Sequence, residues 1–340
     1  MSNNSCLLYL ALAAFAAHIA TTTAAAAKPN CGGSSSSKNI ELLQPTNPPR
    51  ECIYHINAYS SNVCQLRIDF AMTLAQPTVP DEQNGLWYVQ CVKDYFAVNG
   101  LKLCGTEIAQ HIYVPFNRTA GVKNIDLSIV LAVRAGGGGN LPTPSWKMAV
   151  TQLECPSDAA IRSGLATLAV ENEQMEAIER AVQPRAGIKD GFFVAPPDCL
   201  QYFPYATGNI TSFNFNGGAG VYPGNMNYAI CFRRQQSTQS LELNARYFGL
   251  GTGYQRQKFQ ELDNYCRPQL AAAGVSEDYL MVPQATIVDS NIRATYFCGD
   301  SIQGDIVTST NPGPLAITFN SDGNYKAGQE VGFSLSYRVL

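Results

Sequence analysis

The feature that constrains this chain most is the segment at residues 51–70, where two cysteines precede an alternating run of apolar and polar side chains. After Cys64, three apolar residues at every second position form one set: Leu66, Ile68 and Phe70. This period of two is typical of a half-buried antiparallel strand. A related pattern returns at residues 199–234, where two cysteines bracket a strand-like stretch at residues 211–216. The repetition predicts two related β domains.

Length and charge exclude one large class of partner. A chain of 340 residues suggests two or three domains, and the net charge is only −3. Residues 52–155 carry seven basic and seven acidic side chains, and residues 199–340 carry nine and ten. Because neither half has the cationic excess that binding to phosphates requires, nucleic acid is not an expected partner.

The N-terminus has the composition of a secretory signal. Residues 6–20 form an apolar run that is short for a membrane span, and Ala24–Ala27 supply small residues for cleavage. We therefore predict a signal peptide at residues 1–27, with a signal anchor as the alternative. Since no later segment is apolar enough to span a bilayer, we expect a secreted, extracellular protein without a membrane span.

Ten cysteines remain after Cys6 is removed with the signal, and an even number in an oxidising compartment predicts disulfides. Zinc binding is the alternative, but the chain lacks C-x-x-C and has only two histidines beyond the signal. Neighbours along the chain suggest four pairs: Cys52–Cys64, Cys91–Cys104, Cys199–Cys231 and Cys266–Cys298. A fifth pair, Cys31–Cys155, would attach the leader to the end of the first domain, although this pairing stays open.

The remaining segments suggest a domain order. Residues 28–51, rich in Gly, Ser and Pro, are predicted to be a flexible leader. The first domain is placed at residues 52–155 and the second at residues 199–340. Between them, residues 156–198 are predicted to form a helical connector, because apolar residues recur there at helical spacing: Ile161, Leu165, Leu168, Met175, Ile178 and Val182. That stripe would pack on one of the domains, with a coiled-coil partner helix as the alternative.

Two N-x-T triplets predict N-glycosylation, at Asn117 and at Asn209, which agrees with secretion.

Short motifs in both halves resemble those of a CUB domain. In the first half they are the C-V-K-D motif at residues 91–94, Cys104-Gly105 and the strand at residues 146–152. In the second half they are residues 278–282, Cys298-Gly299, residues 317–322 and residues 332–337. The order of these motifs resembles the tandem CUB-like secreted proteins of insects. The resemblance implies an all-β chain with two antiparallel, jelly-roll-like sandwiches, each holding its own disulfides.

The resemblance also implies a calcium site. Many CUB domains bind Ca²⁺ through one Glu and two Asp, and in the second domain Glu261, Asp278 and Asp322 match by order. Carboxylate oxygens are the ligands that calcium prefers. Asp278 lies farther from Cys266 than in the family pattern, and Glu261 competes with Asp263. In the first domain only Asp94 matches well, with Glu82 as a loose candidate. The alternative is that these carboxylates lie in surface turns.

Catalysis is not expected. His55 and His111 have none of the sequence signatures that surround catalytic histidines, such as G-x-S-x-G or H-E-x-x-H. We therefore predict a non-catalytic protein whose loops bind an extracellular protein or glycan, with calcium as a candidate cofactor. A structural component of an extracellular matrix or coat is the alternative, and a hydrolase that uses His111 is a third class.

Overall fold

The computed structural model describes residues 25–81, 88–117, 121–134, 141–155, 190–251, 262–266, 278–323, 325 and 328–340. These residues are mostly β-strand with almost no helix, which confirms that part of the predicted fold class. The only α-helix in the described ranges is the single turn α1 (Leu262–Tyr265). We call residues 25–155 the N-terminal half and residues 190–340 the C-terminal half.

The N-terminal half contains two sheets. Its strands are β1 (Ser34–Ser35), β2 (Asn39–Leu43), β3 (Glu51–Asn57), β4 (Val63–Thr73), β5 (Tyr95–Val98), β6 (Leu101–Leu103), β7 (Thr106–Pro115), β8 (Asn124–Val130) and β9 (Ser145–Glu154). One sheet has the order β1-β3-β8-β5-β6, and the other has the order β2-β9-β4-β7. Most neighbours are antiparallel, but β1 and β3 are parallel.

Apolar side chains from the two sheets meet in a shared core. The rings of Phe70 on β4 and Phe96 on β5 lie 5.2 Å apart, edge to face. The indole Nε1–H of Trp146 on β9 donates to the hydroxyl of Tyr54 on β3 at 3.3 Å. The sheets therefore pack face to face as a sandwich, and the alternation in β4 places Leu66, Ile68 and Phe70 inside.

The C-terminal half forms one long sheet that turns on itself. Its strands are β10 (Cys199–Phe203), β11 (Thr207–Thr211), β12 (Asn227–Phe232), β13 (Leu241–Gly249), β14 (Tyr279–Ile287), β15 (Ile292–Phe297), β16 (Ile306–Ser309), β17 (Ala316–Asn320) and β18 (Gly332–Val339). Their order is β10-β12-β17-β14-β16-β13-β18-β11, with β15 paired to β14. The pair β10 and β12 is parallel.

Strand β14 lies at the corner of this sheet. Its first part pairs with β17, its last part pairs with β16, and its register with β15 shifts between Met281 and Ala285. The turn brings the two ends of the sheet face to face, because Phe232 on β12 lies 4.7 Å from Tyr337 on β18, ring centroid to ring centroid.

The predicted flexible leader is wrong for much of its length. Residues 39–43 form β2 at the edge of a sheet, and Ser34–Ser35 pair with β3. Ile40 and Leu42 are buried in the core, and burying such a side chain contributes about 1.5–3 kcal/mol. Ala27, assigned to the signal, also bonds through its backbone to Asn39 and Glu41. The short alternation of residues 39–43 was hidden among the surrounding Ser and Pro residues.

Two of the expected disulfides are also wrong. The structure joins Cys31 to Cys52 and Cys64 to Cys155, in place of Cys52–Cys64 and Cys31–Cys155. The parallel pairing of β1 with β3 carries Cys31 to Cys52, and the register of β4 with β9 carries Cys64 to Cys155. The other three bonds join Cys91 to Cys104, Cys199 to Cys231 and Cys266 to Cys298.

Most of the predicted connector helix, residues 156–189, lies outside the described residues. Its described end is a 3-10 turn at Asp190–Phe192, followed by chain without helix up to Cys199. The strand expected at residues 211–216 is instead the end of β11 followed by a turn. Asn214 and Asn216 there have φ angles of 54° and 43°, which a continuous strand does not accommodate.

Candidate functional site

Two predicted calcium ligands meet at one edge of the C-terminal sheet. Asp278 precedes β14 and Asp322 follows β17, and the two strands are antiparallel neighbours with Tyr279 opposite Asn320. The start of β14 and the end of β17 therefore lie together. The backbone N–H of Asp322 donates to Oδ1 of Asp278 at 2.6 Å. Both side chains are buried, so these are not the surface-turn carboxylates of the alternative interpretation.

A tyrosine that the sequence analysis missed completes the contacts of Asp278. The hydroxyl of Tyr222 donates to Oδ2 of Asp278 at 2.6 Å and accepts the backbone N–H of Gly251 at 2.9 Å. Tyr222 is almost fully buried. The local sequence signal was weak, because Tyr222 lies outside any strand, before Pro223, and its partners are far away in the chain.

The charged side chains that act on Tyr222 are acidic. Burial raises the pKa of Tyr222 well above its usual value, and the negative charges of Asp278 and Glu330 raise it further. The phenol therefore stays protonated and works as a donor to Asp278. We call Tyr222, Asp278 and Asp322 the carboxylate cluster. It gathers oxygen atoms, the donor type suited to a hard cation such as calcium.

The third predicted ligand, Glu261, lies outside the described residues, as does Glu82. Its competitor Asp263 has a separate role, because its Oδ1 accepts the backbone N–H groups of Thr295 and Tyr296 at 2.7 and 2.9 Å. Asp263 therefore anchors α1 to β15. In the described parts of the chain, no three His, Cys, Asp or Glu side chains come together as a metal-binding group.

In the N-terminal half, the corresponding carboxylate, Asp94, already has a cationic partner. Asp94 is buried and forms an ion pair with the guanidinium of Arg134. Its oxygens also accept the backbone N–H of Ala132 at 2.8 Å and of Ala75 at 3.2 Å. These contacts give Asp94 a structural role in place of the predicted metal role, since Arg134 already supplies the positive charge. The pair joins residues 40 apart.

Both described histidines have partners in the structure. The Nδ1 atom of His55 lies 2.7 Å from Oδ1 of Asp126, with both side chains about half exposed on a sheet surface. His111 is buried, with its Nε2 atom 2.9 Å from the carbonyl oxygen of Tyr202 and its ring 4.8 Å from that of Phe203. His111 is thus part of a packed contact between the two halves.

The two sequon asparagines lie at the surface. Asn117 is exposed just after β7, and Asn209 is exposed in the middle of β11. Asn209 pairs with Ser336 in the ladder between β11 and β18, and β11 is the last strand in the order of its sheet. Both positions are accessible to the modification that the sequence predicts.

Comparison with known protein families gives one match, to the C-terminal half of the chain. Residues 196–340 match the family model described as "Animal CUB domain", which confirms the resemblance for that half. The search of curated proteins found no match.

Similar solved structures include two fragments from one group of proteins. The CUB1-EGF-CUB2 domains of rat MASP-1 are 12% identical, cover 90% of this chain and 99% of that chain, and give a TM-score of 0.26. The CUB1-EGF-CUB2 domain of human MASP-1/3 is 12% identical, covers 89% of this chain and 100% of that chain, and gives a TM-score of 0.26. The full extracellular region of zebrafish Gpr126/Adgrg6 is 8% identical; the match covers 91% of this chain and 36% of that chain, with a TM-score of 0.25.

Within the described ranges, no helix is both long enough and apolar enough to cross a bilayer.

Proposed function

We propose that this protein is a secreted, non-catalytic binding protein that presents the loops of two CUB-like β domains to an extracellular protein or glycan. The observation that carries this proposal is the match of residues 196–340 to the animal CUB domain, since CUB domains mediate protein interactions. Five disulfides and two exposed sequons agree with an extracellular setting. The disulfides hold each set of strands, so the loops at the sheet ends are presented on a rigid frame.

Calcium is the proposed cofactor of the C-terminal half. Asp278 and Asp322 would hold the ion, together with Glu261 from the chain beyond the described residues. Two observations support the fit: both aspartates are buried at the same sheet edge, and the side chain that bonds to Asp278, that of Tyr222, presents an oxygen atom. When bound, calcium would supply a positive charge among these carboxylates. Tyr222 would keep Asp278 oriented through its hydrogen bond.

The calcium-dependent surface would include part of the other half. The backbone N–H of Gly224 donates to the carbonyl oxygen of Val89 at 2.9 Å, and the N–H of Asn225 donates to the carbonyl oxygen of Asp322 at 2.9 Å. Residues 88–89 of the N-terminal half therefore lie close to the carboxylate cluster. A partner that binds at this edge would meet both halves at once.

The experiment combines calcium titration with partner capture, using the secreted full-length protein. We expect heat on titration with Ca²⁺, a higher melting temperature, and saturable binding to members of an array of extracellular proteins and glycans. Asp322→Asn should remove the calcium response and weaken capture. The matched control is Asp126→Asn, an exposed aspartate paired with His55, which should behave as the wild type.

The two parts of the proposal fail separately. No heat and no change in melting temperature would remove calcium while leaving the binding function intact. An array on which the folded protein captures nothing, at any calcium concentration, would contradict the binding function. Concentration-dependent self-association without capture would favour the alternative, a structural component of a matrix or coat.

A further inference from the structure

Strand β7 of the N-terminal half covers the open side of the C-terminal sheet. It is the last strand in its own sheet order, while β10 and β11 end the order of the C-terminal sheet. Residues of β7 contact β10 and the chain just after β11. Three edge strands that would otherwise face solvent therefore meet here. Exposed strand edges are sites of unwanted pairing, and covering them is a common solution in native proteins.

Gln110 on β7 links both ends of the C-terminal sheet. Its Nε2 donates to Oγ1 of Thr211 at 2.7 Å and to the carbonyl oxygens of Thr211 and Ser212 at 3.0 and 3.2 Å. On the other side, its Oε1 accepts the Nε2–H of Gln201 on β10 at 2.8 Å. Gln201 also donates to the carbonyl oxygen of His111 at 3.2 Å. One side chain thus joins β7 to β10 and to the end of β11.

Asn214 extends this contact by inserting its side chain into the N-terminal half. Its Oδ1 accepts the backbone N–H of Thr106 at 2.9 Å, and its Nδ2 donates to Oε1 of Gln76 at 2.9 Å. Its backbone N–H donates to Oε1 of Glu107 at 3.0 Å. Asn214 is completely buried, so these bonds replace bonds to water that folding removes.

The backbone opposite Asn214 requires glycine. Gly105 has a φ of 81°, and a Cβ added there would lie 2.1 Å from Oδ1 of Asn214. Both the positive φ and the close approach disfavour any residue with a side chain. The backbone of Gly105 in one half is therefore fitted to the side chain of Asn214 in the other.

A second contact joins the halves beside β9. The carboxylate of Asp190 accepts a hydrogen bond from Nζ of Lys38 at 2.7 Å and another from the backbone N–H of Glu154 at 3.0 Å. Gln65 exchanges two hydrogen bonds with the backbone of Ala195, at 2.8 and 3.0 Å. The described start of the C-terminal half is therefore docked on the N-terminal half.

Within the described residues, no disulfide crosses between the halves. All ten cysteines of the described chain are paired, six within residues 31–155 and four within residues 199–298. Apart from the connector, only non-covalent contacts hold the halves together. We define the seam as Gln76, residues 105–111, Gln201, Tyr202 and residues 211–214.

We propose that the seam is a docking interface between the two halves that holds them together without the connector. Cleavage within residues 156–189 then yields a two-chain protein with an unchanged arrangement of the halves. The inference rests on contacts in the seam and is independent of what the protein binds or whether calcium is present.

The test uses the full-length secreted protein with a site-specific protease sequence inserted between residues 156 and 189. After cleavage under non-reducing conditions, we expect size exclusion and native mass spectrometry at neutral pH to show one complex of both halves. Two separate fragments at micromolar concentration would overturn the proposal. This readout needs no seam variant, so it does not depend on whether a variant folds.

Seam variants then test which contacts hold the complex. Gln110→Ala and Asn214→Ala leave buried polar groups unpaired, so each should weaken association of the cleaved halves about tenfold or more. Gln236→Ala, an exposed glutamine outside the seam, is the matched control and should leave association unchanged. If cleaved Gln110→Ala and Asn214→Ala proteins stay as tightly associated as the control, the assignment of the interface to the seam is wrong.

Discussion

The Nε2 atom of His111 lies 2.9 Å from the carbonyl oxygen of Tyr202, so a side chain on β7 of the N-terminal half bonds to the backbone of β10 in the C-terminal half. The contact is buried between the rings of Tyr113 and Phe203. Because a titratable ring occupies this position, the stability of the whole protein depends on its protonation state.

The first prediction concerns acid. Burial, together with the charge of Arg67, lowers the pKa of His111 to about 4, against the opposing effects of Asp69 and of the hydrogen bond with Tyr202. In the unfolded chain the pKa is near 6.5. Because the pKa of His111 is lower in the folded protein, its contribution to the free energy of unfolding is complete above about pH 6.5. This contribution is lost as the pH falls towards 4. The free energy of unfolding should then fall by up to about 1.4 kcal/mol per pH unit from this group alone.

Urea unfolding at pH 7, 6, 5 and 4 measures this dependence. His111→Gln should show a shallower loss of stability with acid than the wild type. His55→Gln changes an exposed histidine outside the seam and serves as the comparison. Equal slopes in the wild type and His111→Gln would contradict the assignment to His111.

The second prediction concerns Glu107, which has the opposite pH dependence. Burial raises its pKa well above the usual value, while the N–H of Asn214 opposes the shift. The folded protein therefore holds the neutral acid, and the unfolded chain releases the proton above about pH 4.5. The contribution of Glu107 to the free energy of unfolding is complete at acid pH and is lost as the pH rises.

Glu107→Gln should therefore raise the melting temperature at pH 7.5 and have a smaller effect at pH 4, as measured by calorimetry. Gln keeps an acceptor for Asn214, so the seam is preserved. Glu51→Gln, at an exposed position, serves as the control. A lower melting temperature for Glu107→Gln at pH 7.5 would show that the ionised carboxylate is the form that the fold requires.

The third prediction concerns the pair of Asp94 and Arg134. Arg134→Ala leaves a fully buried carboxylate without its cation, and breaking such a pair costs about 3–5 kcal/mol. Arg338→Ala removes one partner of an ion pair with Glu242 at the surface, which should cost less than about 1 kcal/mol. Denaturant unfolding of both variants compares them directly. Similar small losses would mean that water, instead of Arg134, stabilises Asp94.

The fourth prediction concerns the disulfides. Cys64–Cys155 closes a loop with a separation of 91 residues, and Cys91–Cys104 closes one of 13. Chain entropy predicts losses of about 4–5 and about 3 kcal/mol when each pair is replaced by alanine. Non-reducing peptide mapping should also recover a Cys31–Cys52 peptide. A peptide that links Cys52 to Cys64 would contradict the pairing in the structure.

The two mispredicted disulfides show where local patterns stop being informative. Cys52 and Cys64 are neighbours along the chain, and their spacing suits a closed loop. They lie on β3 and β4, however, which belong to different sheets, so each cysteine instead meets a neighbour along its own sheet. Register between strands decides the partner, and register depends on the packing of the complete core.

The candidate site was predictable in part for a related reason. Asp278 and Asp322 were proposed from the resemblance to CUB domains, and antiparallel pairing of β14 with β17 brings them together. Tyr222 was missed because its bond to Asp278 joins residues 56 apart, with no pattern in either segment. Asp94 was proposed in the same way, and its ion pair with a distant arginine, Arg134, could not be read from the local sequence.

By itself, the sequence determined that the chain is mostly β and that its second half resembles a CUB domain, because alternation and cysteine spacing are properties of short segments. Only the tertiary structure decided that β7 seals the C-terminal sheet through Gln110, His111 and Asn214. These contacts join residues about 100 positions apart. Their polar side chains are stabilised by partners that exist only after both halves have folded and docked.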